Sequence, residues 1–237
     1  MVFPLYDDNP LKLPVPPFAT WGLIALNVLI FLIQASSGSA TDNAIVASFG
    51  ATPAAVIHEV HATGALPPEL TLVTSMFLHG GWGHLLGNMI YLFVFGDDIE
   101  EALGWARFLV FYLACGILSA LGFIALNVHS TTPLVGASGA ISGILAAYLM
   151  LRPCAKVTVF VLRAVVRVQA FWVIGGWILL QLYYFASSTD DGVAYAAHLG
   201  GLAAGAALFW LMRPGTVELF ECLGQPNEGG EATASSS

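Results

Sequence analysis

Six apolar runs divide the chain: Phe18–Gln34, Leu72–Gly96, Ala106–Val128, Leu134–Leu151, Val168–Ala186 and Val193–Met212. Each has the roughly 17–25 residues that a helix needs to cross a hydrocarbon core. None contains an acidic residue, and only Arg107, at the edge of the third, is basic. The pattern predicts an all-α polytopic membrane protein, a bundle of six transmembrane helices. A short N-terminal segment (1–17) precedes the membrane domain (18–212), and a tail (213–237) ending GGEATASSS follows it and reads as disordered. The first run also resembles a cleavable signal, since small residues follow it at Ala35–Ala40; it is long for such a signal and only Lys12 precedes it, so a retained helix is expected.

The connections carry patterns of their own. The long one, 35–71, holds Pro53, Pro67 and Pro68 and leads into PPELTLVTSMFLHGGWGH, which predicts a structured element at the membrane surface. KVTVFVLRAVVRV, after Pro153, spaces cations among apolar residues and suits an interfacial segment. No internal repeat is evident.

Composition agrees with the pattern. The chain is 57% hydrophobic and 9% charged, against about 25% charged in a soluble domain. All seven cations (Lys12, Arg107, Arg152, Lys156, Arg163, Arg167, Arg213) fall in the N-terminal segment, the second and fourth connections or the C-terminal end, and connections 35–71, 129–133 and 187–192 have none. Lys and Arg are retained in the cytoplasm, so both termini are expected there and the long first loop outside. The net charge of −8 comes partly from Asp97, Asp98, Glu100 and Glu101 and gives no footprint for nucleic acid. Cys115, Cys154 and Cys222 fall in a span, a connection and the tail, and imply no disulfide framework.

Polar residues inside spans are costly and point to function. His84 and Asn88, four apart in the second span, share one helix face. Ser138 opens the fourth span fourteen residues before Arg152, which puts it about 21 Å from the inner boundary of a core about 30 Å thick, or about 9 Å below the outer surface. His198 follows Asp191 by seven residues and so lies about 10 Å down. Four polar residues can therefore converge on a cavity open to the outer side.

Residue type then assigns roles. A serine hydroxyl needs a neighbouring base before it attacks, and a partly desolvated, neutral histidine can take its proton. Ser138 is the candidate nucleophile and His198 the base; with no Asp or Glu in any span, the pair would be a dyad. Asn88 and His84 carry donors suited to an oxyanion, as does the backbone N–H of Ser138 near a helix N-terminus.

HGGWGHLLGNMIYLFVFG, GASGAISG and AHLGGLAAG, in this order on the second, fourth and sixth spans, resemble the signature of the rhomboid family of intramembrane serine proteases. DDNP, TSMFLH, RPCAKVTVFVL and GGWILLQL extend the likeness. The resemblance implies Ser138 as nucleophile, His198 as base and His84 with Asn88 around the oxyanion. It implies single-span transmembrane substrates entering between the second and fifth helices, membrane lipids as surroundings, no cofactor, and a bacterial inner membrane. Two positions depart from the pattern: Thr71 stands where the family often has arginine, and Ser142 where some members have a tyrosine that stacks on the catalytic histidine.

Other readings compete. Gly139 with Gly143 and Gly201 with Gly205 have the spacing of close helix packing, which by itself needs no chemistry. His84 with Asn88 can be interhelical glue, and Gln181 a packed polar residue or a recurrent family position. His58, His61, His79 and His129 read as solvated loop residues, with His79 shaping the first loop by resemblance; Trp82, Trp172, Trp177 and Phe95 read as lipid contacts, anchors or core. A haem protein would use His84 and His198 as axial ligands, a transporter would use the polar cavity as a substrate site, and an inactive rhomboid-like protein would only bind membrane helices. No H-E-x-x-H motif suggests a metal.

Overall fold

The computed structural model describes residues 3–8, 16–60, 66–161, 163–187, 192–220 and 222. In chain order its helices are α1 (Phe18–Ser36), α2 (Ser39–Phe49), the short α3 (Pro53–Val56) and α4 (Thr71–Thr74), then α5 (Trp82–Leu103), α6 (Trp105–Leu126), α7 (Ser138–Leu151), α8 (Ala170–Ala186) and α9 (Tyr195–Met212). The six long elements α1, α5, α6, α7, α8 and α9 match the six apolar runs. Of these, α1, α6 and α9 are long and apolar enough to cross a membrane by length and composition, while α7 and α8 are shorter apolar helices. Trp21, Leu29, Trp105, Val110, Leu179 and Leu211 face outward, as expected where lipid rather than water covers a helix. The protein is a helical membrane bundle.

Nearly all of α7 is buried, with Ile144, Ala147 and Tyr148 fully enclosed. Small residues make that possible. A Cβ on Gly201 would overlap the carbonyl of Gly139, one on Gly205 would meet the backbone of Gly143, and one on Gly143 would lie 2.6 Å from Cys115 Sγ. The backbones of α7 and α9 thus touch, and α6 closes on the same seam.

The second span differs from its expected bounds, Leu72–Gly96. Residues 72–81 form α4, a 3₁₀ turn (Ser75–Phe77) and a loop through Gly80 and Gly81, and the helix starts at Trp82. A hydropathy window cannot see this break, because residues 76–78 are as apolar as a span. At its other end α5 runs on through Asp97, Asp98, Glu100 and Glu101 to Leu103. Three of those carboxylates meet partners on other elements. Glu100 accepts hydrogen bonds from the backbone N–H groups of Ala19 (3.0 Å) and Thr20 (2.7 Å) and from Thr20 Oγ1 (2.8 Å), capping the otherwise unpaired amides of α1. Asp98 and Glu101 face the buried Arg152, at 3.3 and 3.9 Å.

The same end holds a small sheet that the all-α expectation omits. β1 (Phe3–Asp7), β2 (Lys156–Val161) and β3 (Ala164–Gln169) pair antiparallel in that order, with Phe3 opposite Phe160, Asp7 opposite Val157 and Lys156 opposite Gln169. The expected interfacial segment after Pro153 is therefore a β-hairpin. Its β-branched residues suit strands, Val157 and Val159 are buried against the bundle, and its third strand comes from the N-terminal segment, which no local pattern connects to it. Tyr148 donates its hydroxyl to Asp7 Oδ2 at 2.5 Å, and Arg167 pairs with Asp8.

The tail expected to lack structure from 213 begins as a clasp. Arg213 Nη1 donates to Val217 O, Phe220 N–H donates to Met150 O, and Val217 and Leu219 pack on the core. Cys154 and Cys222 are joined as a disulfide, where the spacing of the cysteines implies none. Lys12, His61, the Asp190–Asp191 pair and tail residues 221 and 223–237 lie outside the described residues.

Candidate active site

The end of the bundle opposite the sheet gathers the polar residues. Ser138 is the first residue of α7, His198 lies in the first turn of α9, and His84 and Asn88 lie in the first two turns of α5. Each sits at a helix start, where the first amides have no intrahelical partner. Ser138 Oγ and His198 Nε2 are 2.9 Å apart. The approach depends on the glycine seam between α7 and α9, so the packing reading of those glycines and the chemical reading of Ser138 describe one arrangement.

Gly136, two residues before Ser138, has φ +118°, a conformation that side chains other than glycine's rarely adopt. A Cβ there would lie 2.6 Å from His84 Cε1, 2.7 Å from His84 Nε2 and 3.7 Å from Asn88 Nδ2. The His84 ring and the Asn88 amide therefore face the backbone that leads into Ser138. His84 Nδ1 accepts from the Gly80 N–H at 3.4 Å, which leaves the ring proton on Nε2 as a donor toward Gly136. Asn88 Nδ2 is buried and has no hydrogen-bond partner among the described residues. Two donors thus converge beside the serine.

The loop before Ser138 is held from the first connection. Ala51 and Leu134 exchange backbone hydrogen bonds, and the Gly136 N–H donates to Ser75 O. Thr74 Oγ1 donates to Phe49 O. Thr71 starts α4, and its hydroxyl donates to Pro68 O, closing a local turn.

A model of the Rhomboid domain matches residues 68–215, well over half of the 237 residues. The chain belongs to the rhomboid family. It is 38% identical over 133 residues to Rhomboid protease GluP of Bacillus subtilis, covering 56% of this chain and 24% of GluP. To Rhomboid protein 1, mitochondrial, of Saccharomyces cerevisiae it is 32% identical over 152 residues, 60% of this chain and 41% of the relative. Presenilin-associated rhomboid-like protein A, mitochondrial, of Danio rerio is 28% identical over 236 residues, covering 88% and 55%. The chain spans between about a quarter and just over half of the length of these relatives.

In this rhomboid the residues that hold His198 come from α8. Gln181 Oε1 lies 2.7 Å from His198 Nδ1, and Trp177, one turn earlier, puts its ring centroid 5.8 Å from the imidazole. Tyr195 meets the ring edge-on at 6.4 Å. The sequence left Gln181 open and assigned Trp177 no chemistry; their spacing of four on one helix face was the available signal. Ser138 thus lies on one ring nitrogen of His198 and Gln181 on the other. Ser142, one turn after the serine, donates to Ser138 O at 2.7 Å.

His79 is not the solvated residue expected. It is buried, and Gln34 takes both its backbone groups: the His79 N–H donates to Gln34 Oε1 at 3.1 Å, and Gln34 Nε2 donates to His79 O at 3.4 Å and to Asp42 at 3.0 Å. Gln34 thereby ties α1 and α2 to the loop before α5. His58 and His129 are exposed and pair with Glu69 and Glu59. Ser119 on α6 was also missed. Its hydroxyl donates to Ala197 O at 2.6 Å, and a Cβ on Gly139 would collide with it, so it braces the residues beside both Ser138 and His198.

Proposed function

We propose that this rhomboid is a serine endopeptidase that cuts transmembrane-helix substrates near their outer ends, with Ser138 as nucleophile and His198 as general base. The observation that carries the reading is the 2.9 Å approach of His198 Nε2 to Ser138 Oγ, at a helix start beside the buried Asn88 and the half-buried His84. As Ser138 Oγ bonds to the scissile carbonyl carbon, its proton passes to His198 Nε2. The oxyanion receives hydrogen bonds from Asn88 Nδ2 and His84 Nε2. Collapse of this intermediate expels the amine, which takes the proton from His198, and water then hydrolyses the acyl-enzyme by the same proton route. Metal chemistry is not required by this scheme.

The positive-inside rule supports cytoplasmic termini, since Arg152, Lys156, Arg163, Arg167 and Arg213 all belong to the sheet end. The site end then faces outward, and by resemblance to bacterial members the membrane is a bacterial inner membrane. A helical peptide bond is shielded by its own turn, so the substrate helix must unwind before it is cut. A site about 10 Å below the surface meets that helix where water can satisfy the freed groups. The substrates are single-span proteins with Gly, Ser or Pro near the outer end and a small residue at the cut, because Gly136, Ala137, Gly139 and Ala140 crowd the serine.

Fluorophosphonate labelling in detergent, compared between wild type and Ser138→Ala, tests the nucleophile; equal labelling overturns it. Cleavage of a model single-span substrate in liposomes should slow when its outer-end Gly and Pro residues become Leu. Unchanged rates, or cuts at the inner end, overturn the substrate reading.

A further inference from the structure

We propose that Gln181 is a positioning residue of this site: its side-chain carbonyl holds His198 in the Nδ1–H tautomer and the orientation that turns Nε2 to Ser138. The proposal rests on the reading of Ser138 and His198 as nucleophile and base.

A neutral imidazole carries one proton, and only the Nδ1–H tautomer presents a lone pair at Nε2. Nε2 faces Ser138 Oγ at 2.9 Å, so the ring proton must be on Nδ1 if the serine is to be deprotonated. A buried N–H left without an acceptor is destabilising. Oε1 of Gln181 meets that need at 2.7 Å. The geometry of α8 points the same way. Most of the helix faces outward, its buried residues being Ala170, Ile174 and Gln181. Gln181 is therefore an amide buried on a mostly outward-facing helix, and its side chain meets His198 there. Trp177, one turn away, flanks the same ring, so α8 supplies both an acceptor and a wall.

The chemistry explains why an amide suffices. When His198 takes the serine proton it becomes an imidazolium whose Nδ1–H already points at the Gln181 carbonyl dipole. A carboxylate in that position would be a stronger partner but would need desolvating in the resting enzyme. The amide orients the ring without that cost.

The test compares Gln181→Met and Gln181→Glu in the detergent-purified 237-residue protein cleaving a model single-span substrate. Met keeps the volume and removes the acceptor; Glu keeps the acceptor. Positioning predicts that Met lowers kcat about 10–100-fold, the scale on which the outer partners of metal-bound histidines act, with KM within about two-fold, and that Glu retains most of the rate. A merely packed polar residue predicts the reverse order, with Met tolerated and a buried charge the worse change, and that order overturns the proposal. The ¹⁵N resonances of His198 in the wild type, assigned by their loss in His198→Ala, give an answer even if a variant misfolds. The Nδ1–H tautomer is expected, and the Nε2–H tautomer overturns the proposal. Wild-type cleavage and its loss in Ser138→Ala test the underlying reading separately.

Discussion

The two ends of the bundle bury polar groups by opposite means. At the site end the groups are the half-buried Ser138 and buried histidines, an asparagine and a glutamine, joined by hydrogen bonds such as Ser138–His198 and His198–Gln181. At the sheet end they are charges, with Asp98 against Arg152 and Glu100 against the start of α1. The reason lies in what each end must do. On the proposed reading His198 has to gain and lose a proton and must begin neutral, whereas the sheet end benefits from partners that never leave. The site end therefore trades strength for reversibility, and the sheet end holds the helices whose other ends position the site.

That contrast can be broken most sharply at the site. Ser138→Ala and His198→Ala are each expected to lower cleavage by at least about 10³-fold, and the double variant should be no worse than either alone, because the two act as a unit. Ser142→Ala, one turn along, should keep substantial activity. Initial rates on a liposome-embedded substrate measure all four. An active Ser138→Ala with a dead Ser142→Ala would move the nucleophile one turn.

At the other end, Arg152→Met leaves the Asp98 and Glu101 carboxylates facing a site without a cation. Breaking a buried pair from one side costs about 3–5 kcal/mol, so the variant should unfold at much lower denaturant in detergent. Adding Asp98→Asn should recover part of the loss. Equal stability of Arg152→Met and wild type would show that the sheet end does not depend on its charges.

A smaller and different effect is expected at the oxyanion side. Asn88→Ala should lower kcat by about 10–10³-fold with little change in KM, since its bond strengthens only as charge develops. His84→Ala should follow it. A defect confined to KM would make both residues substrate-binding groups.

The smallest effect is expected from the Cys154–Cys222 clasp. Reduction with dithiothreitol removes one of several links at the end opposite Ser138, so initial rates should stay within about two-fold. A large loss of cleavage would couple the two ends directly.

Hydropathy is a property of each segment alone, and for that reason the six spans and the all-helical bundle were legible along the chain. The candidates Ser138, His198, His84 and Asn88 could be picked out for a similar reason, because a polar residue inside an apolar run stands out without reference to any partner. The start of α5 was not legible, since the loop through Gly80 and Gly81 is embedded in residues as apolar as a span. Nor was its end, since Asp98 and Glu100 look like a boundary until Arg152 and the amides of α1 are beside them. The sheet needed a strand from residues 3–7 to meet one about 150 residues later. Gln181 needed α8 to turn one face to His198. Each of these depends on a partner distant in sequence, and only the packed bundle brings such partners within the few ångströms over which hydrogen bonds and ion pairs act.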